Sequence, residues 1–123
     1  LKTDFAEIIN ACVNQNLDSI NIEWSNEKSL CIVVCSKGYP DDYKKNIEIK
    51  NLDKINLSEN EFIFHAGTKQ NQNKTFSDGG RVLNFVVKSD NFKKNRDRAI
   101  DLIEEINWEN GFFRKDIGFK VIE

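Results

Sequence analysis

The run Leu30-Cys31-Ile32-Val33-Val34-Cys35 constrains the fold most, because six consecutive apolar residues rich in β-branched side chains suit a buried strand and little else. It is far below membrane-spanning length, and no basic segment followed by an apolar one opens the chain. Neither a membrane span nor a signal peptide is expected. Upstream, Ile20, Ile22 and Trp24 alternate with polar residues, and Ser25-Asn26-Glu27-Lys28 reads as a turn, which predicts a hairpin with Ser29 to Cys35. Phe62 to Ala66 and Val82 to Val87 predict a second hairpin across the polar segment Gln70 to Asp78. Ile47 and Ile49 suit a further short strand, and Phe112 to Phe119 returns to strand-like alternation.

Two helices complete the pattern. Phe5, Ile8, Ile9, Cys12 and Val13 form one apolar stripe behind Asp4 and Glu7 at capping-box spacing. Phe92, Arg96, Ala99, Ile100, Ile103 and Ile106 sit on helical spacing behind Asp90 as N-cap, while Lys93, Lys94, Arg98, Asp101 and Glu104 read as a solvated face. A chain of 123 residues, 39% hydrophobic and 31% charged, supports one compact core and not two. The expected fold is α+β, a single domain over residues 1–123 with a small, mostly antiparallel sheet and two main helices.

Charge and sulfur narrow the function classes. A net charge of −2 argues against a general phosphate-backbone binder, so nucleic acid is not an expected partner. Cys31 and Cys35 lie four residues apart on one strand, roughly 13 Å between Cα atoms, which is beyond disulfide reach. They read as buried thiols, and with Cys12 the odd count fits a reducing, cytoplasmic location. One histidine and scattered cysteines give no metal-ligand spacing, so no metal site is expected. The chain has no methionine and begins at Leu1, which leads to the expectation of a domain excised from a longer protein.

Four blocks are required by no periodicity: Lys37-Gly38-Tyr39-Pro40, His65-Ala66-Gly67-Thr68-Lys69, Gly79-Gly80-Arg81-Val82-Leu83 and Arg114-Lys115-Asp116-Ile117-Gly118. Each sets permissive backbone beside a cation, so an N–H group and a positive side chain can approach one anion together. Each also has a plain structural reading. Lys37-Gly38 can end a strand, His65 can be a hydrogen-bonded structural residue, Gly79-Gly80 can form a turn or bulge, and Asp116 can pair with Arg114 or Lys115. The second hairpin is expected to bring Lys69 and Arg81 to one end, where two like charges without a counterion call for an anion between them.

Read in order, with a helix ahead of the last, the four blocks resemble the carboxy-terminal domain of the phosphoribosylamine–glycine ligase (glycinamide ribonucleotide synthetase) family over nearly the whole chain. The resemblance implies the capping domain of an ATP-grasp ligase in purine synthesis that uses ATP and Mg²⁺ (or Mn²⁺) to activate glycine as an acyl phosphate for attack by phosphoribosylamine. The nucleotide and metal would lie on an ATP-grasp domain outside this chain, and the isolated domain would be inactive. Lys69, Gly79, Gly80 and Arg81 are then expected to hold the substrate 5′-phosphate. Lys37, His65, Thr68, Arg114, Lys115 and Asp116 are expected to line the cleft or the contact with the ATP-grasp domain. The alternatives are the cap of another ATP-grasp enzyme of carboxylase type, or a noncatalytic interaction module.

Overall fold

The computed structural model describes residues 1–122. Its centre is the antiparallel pair β1 (Lys28–Ser36) and β6 (Arg81–Ser89), flanked by β3 (Glu61–His65) beside β6 and β7 (Gly111–Phe112) beside the end of β1, in the order β3-β6-β1-β7. A smaller antiparallel sheet runs β2-β5-β4, from β2 (Glu48–Ile49), β4 (Thr68–Asn71) and β5 (Lys74–Ser77). Helices α1 (Phe5–Val13), α2 (Phe92–Glu105) and the short α3 (Phe119–Ile122) complete an α+β fold. The class matches expectation, with two sheets instead of one.

The core lies between α2 and one face of the larger sheet. Leu30, Ile32 and Val34 of β1 and Leu83, Phe85 and Val87 of β6 are buried there against Ala99, Leu102 and Ile103. Period-two alternation therefore sends Cys31, Val33 and Cys35 to the opposite face. This corrects the reading of buried thiols, since Cys31 is exposed and Cys35 half-exposed, though all three cysteines are free as expected. The α2 face is centred on Asn95, Ala99 and Leu102. Asn95, absent from the sequence reading, is fully buried because its Nδ2 donates to the Lys28 carbonyl at 3.0 Å. Asn91, not Asp90, caps α2, its side chain accepting from the Lys94 N–H. Asp90 instead pairs with the Lys94 ammonium at 3.3 Å.

The predicted first hairpin does not form. Residues 20–24 make no strand, because their backbone is bonded to the start of the chain: Lys2 N–H donates to the Glu23 carbonyl at 2.8 Å, and Thr3 Oγ1 accepts from Glu23 N–H and donates to the Asn21 carbonyl. The second pairing does form, with β3 against β6 in the register Ile63 opposite Phe85. Its polar connection is itself a hairpin, β4 to β5, turned at Gln72 and Asn73, whose φ values of 48° and 62° fit a type I′ turn. The tail yields only the two residues of β7 before α3.

Arg98 of the solvated face reaches back to β3. Its Nε and Nη2 donate to the Glu61 carboxylate at 2.7 and 3.2 Å, and Glu61 also accepts from Ser58 N–H. The guanidinium hydrogen bond holds the Glu61 carboxyl below its ordinary value of 4.5. A carboxyl lowered by folding contributes stability that is complete above the unfolded value and lost as pH falls through the folded one. Glu61→Gln is therefore expected to cost about 1–2 kcal/mol at neutral pH and to flatten the loss of stability below pH 4.5. Urea melts of both proteins across that acid range check the difference in slope.

Candidate functional site

A β-bulge sets the site. β1 and β6 pair residue for residue from Lys28–Ser89 to Val34–Leu83, then the register shifts so that Cys35 faces Arg81. Val82 is the extra residue, and it is fully buried. Without it, strict alternation from Leu83 would turn Arg81 toward the core. The bulge instead delivers Arg81 to the outer face beside Cys35, the re-aiming that such insertions accomplish.

Three of the four blocks meet at this point. Ser36, fully buried, fixes the glycine pair: its N–H donates to the Gly80 carbonyl at 2.7 Å and its Oγ to the Gly79 carbonyl at 2.8 Å. The Tyr39 ring packs directly on Gly80, where a Cβ would overlap it. Gly67 crosses Gly79 backbone to backbone, its N–H donating to the Arg81 carbonyl at 3.0 Å and its carbonyl accepting from Asp78 N–H at 2.7 Å. Gly80 is buried, and among the described residues neither Gly79 N–H nor Gly80 N–H has an acceptor. Buried donors of this kind are ordinarily paired. Tyr39, Arg81, Phe112, Phe113 and Arg114 line a groove of about 330 Å³ on the outer face, which brings the fourth block to the same place.

The remaining candidates are more dispersed. Lys69 does not converge with Arg81: it lies opposite Phe76 in the tight β4–β5 hairpin, and Asp78 Oδ1 is 3.8 Å from its Nζ. The like-charge argument therefore fails for Lys69, which has its counterion. It shares a separate cleft with His65, Thr68, Gln70 and Thr75. There His65 Nδ1 and Thr68 Oγ1 are 3.0 Å apart, so the histidine is a hydrogen-bonded partner of the threonine. Arg114 grips Asp116 with two bonds, Nε to Oδ1 at 3.0 Å and Nη2 to Oδ2 at 2.6 Å, which lowers the Asp116 carboxyl below its ordinary value. Lys115 is exposed beside them, and Lys37 lies on another cleft with Asp42, Tyr43 and Lys44.

Ser36, Tyr39 and Asp78 were absent from the candidate residues. Nothing in a serine after a strand announces that it clamps two carbonyls 43 residues away. Among the described residues no three His, Cys, Asp or Glu side chains come together to hold a metal ion, and no helix is long and apolar enough to cross a membrane.

A helix-backed antiparallel sheet whose outer face gathers an arginine, unpaired glycine N–H groups and aromatic walls defines a small α+β ligand-facing domain. The chain belongs to the family described as phosphoribosylglycinamide synthetase, C domain, whose sequence model matches residues 29–120. It is 41% identical over 117 residues to phosphoribosylamine–glycine ligase of Caldanaerobacter subterraneus subsp. tengcongensis, covering 95% of this chain and 27% of that protein. It is 34% identical over 123 residues to the ligase of Brucella melitensis, covering 100% of this chain and 29% of that protein. A crystal structure of phosphoribosylamine–glycine ligase from Thermotoga maritima superposes with a TM-score of 0.67 at 27% identity, over 93% of this chain and 28% of that one. The chain thus spans under a third of the relatives it matches.

Proposed function

We propose that residues 1–123 are the carboxy-terminal capping domain of an ATP-dependent ligase that joins glycine to 5-phosphoribosylamine, forming glycinamide ribonucleotide for purine synthesis through a glycyl phosphate. Family membership and the names of the relatives support the reaction. The single observation that carries the site is the bulge at Val82, which sets Arg81 on the outer face next to two glycine N–H groups without acceptors. A guanidinium and converging N–H donors match the oxygens of a phosphate monoester. In this reading Arg81, Gly79 and Gly80 hold the 5′-phosphate, and Lys69 contributes from the adjoining cleft.

A cap of this kind fixes the amine relative to the acyl phosphate and excludes water that would hydrolyse it. ATP and Mg²⁺ or Mn²⁺ are assigned to the rest of the ligase, since this chain offers the metal no acidic cluster among its described residues. With Arg114 already bound to Asp116, the Arg-Lys-Asp block is assigned to seating the cap on its neighbour, with Lys37 in the same role. His65 positions Thr68. The reading places the enzyme in the cytoplasm. It also makes the isolated domain inactive, because half a cleft forfeits most ligand contacts.

In the complete ligase, Arg81→Ala is expected to raise KM for phosphoribosylamine about 10- to 100-fold, the worth of hydrogen bonds to a charged group. Lys69→Ala should act more weakly, since Asp78 already neutralises that ammonium. Steady-state kinetics decide between the outcomes. Unchanged KM and turnover in Arg81→Ala would remove the phosphate site.

A further inference from the structure

Helix α1 carries an apolar surface that the domain itself leaves unused. Phe5, Ile9 and Val13 recur every four residues and form one stripe, and they are 65%, 47% and 75% exposed. Only Ala11 of the nine residues of α1 is buried. So short a helix is marginal on its own and ordinarily owes its stability to burying such a face. It is nevertheless firmly placed. Asp4 caps it, and the bonds from Lys2 and Thr3 to residues 21–23 tie its start to the strap that leads into β1. Trp24 on that strap is also largely exposed, at 70%.

We propose that the stripe Phe5–Ile9–Val13 is an interdomain surface, buried in the complete ligase against the part of the polypeptide outside this chain, and that the capping domain proper begins at β1. This rests on the reading of the chain as a ligase domain. Three observations commit the surface to that occupant. The family match begins at residue 29, inside β1, so α1 and the strap lie outside the domain as the family defines it. The similarity to the Brucella ligase nonetheless covers 100% of the chain, so the segment belongs to the ligase and is no foreign appendage. The chain accounts for only 27% to 29% of the bacterial ligases compared above, which leaves a large neighbour to supply the other half of the contact. α1 is therefore a piece of the neighbour's core carried on the cap's sequence, and the strap is the covalent and hydrogen-bonded joint between the two.

The test substitutes Ile9→Glu and Val13→Glu together, in the complete ligase and in the 123-residue chain. Thermal melting and amide hydrogen exchange are measured for both. The complete ligase is expected to lose about 5 °C or more while the short chain melts within about 2 °C of its parent. In the unsubstituted proteins, the α1 amides should exchange at least about tenfold more slowly in the complete ligase than in the short chain. Equal losses in both contexts would place the stripe inside this domain, and no loss in either would leave it solvated; both results overturn the proposal. Loss accompanied by dissociation of a dimer in sedimentation would make a second copy the occupant, which overturns it as well. If the double variant of the ligase cannot be purified, Val13→Ala gives the same comparison at smaller amplitude. Glycinamide ribonucleotide formation by the unsubstituted ligase is assayed in parallel. Its absence would overturn the functional reading while the melting comparison still decides the stripe.

Discussion

Gly67→Ala is expected to lower the melting temperature of the domain by about 10 °C and to cripple phosphate binding in the ligase with it. A Cβ at this position would stand 2.6 Å from Gly79 Cα, 2.8 Å from the Arg81 carbonyl oxygen and 2.9 Å from Gly79 N. All three are backbone atoms, so no side chain can swing aside. The two segments must separate, and the bonds from Gly67 N–H to the Arg81 carbonyl and from Asp78 N–H to the Gly67 carbonyl go with them. Overpacking of this kind costs about 3 kcal/mol at the upper end of its usual range. Because the same bonds hold Arg81 and the glycine pair in place, KM for phosphoribosylamine should rise at least as far as in Arg81→Ala. A Gly67→Ala protein that melts within about 2 °C of wild type would show that the crossing is looser than described.

Phe85→Ala is the larger loss of stability, at about 3–5 kcal/mol. Phe85 is fully buried on β6, opposite Ile32 of β1 and Ile63 of β3, on the face covered by Ala99 and Leu102 of α2. It touches every layer of the core, and the hole left by its ring has rigid sheet on two sides. Against a total stability of about 5–15 kcal/mol, such a loss brings a domain of this size close to unfolding at ordinary temperature. Phe85→Leu, which keeps most of the volume, should cost roughly 1.5 kcal/mol. Urea denaturation is the measurement, with the midpoint falling and the slope unchanged. The two predictions differ in kind. Below its melting transition, Phe85→Ala should leave KM for phosphoribosylamine unaltered, while Gly67→Ala should not.

Much of this architecture was legible in residue order. The helices over Phe5–Val13 and Phe92–Glu105 follow from apolar spacing and polar caps, and the β3–β6 pairing follows from two aromatic and aliphatic runs. The misreadings share one cause, which is that local patterns do not reveal their partners. Ile20 to Trp24 alternates like a strand, yet its backbone bonds to Lys2 and Thr3 and joins no sheet. Leu30 to Cys35 is apolar throughout, yet only every second residue faces the core, because α2 covers one side.

The sequence alone determined that four cation-and-glycine blocks exist, in an order and spacing that resemble one family, because chain order survives any folding. Only the tertiary structure decided what each block does. A single extra residue, Val82, turns Arg81 from the core to the groove, and a register set by the Gln72–Asn73 turn gives Lys69 to Asp78. Side-chain direction along a strand reverses with every residue, so one bulge or one shift in register changes which face a charge occupies. Pairing between segments far apart in sequence fixes both.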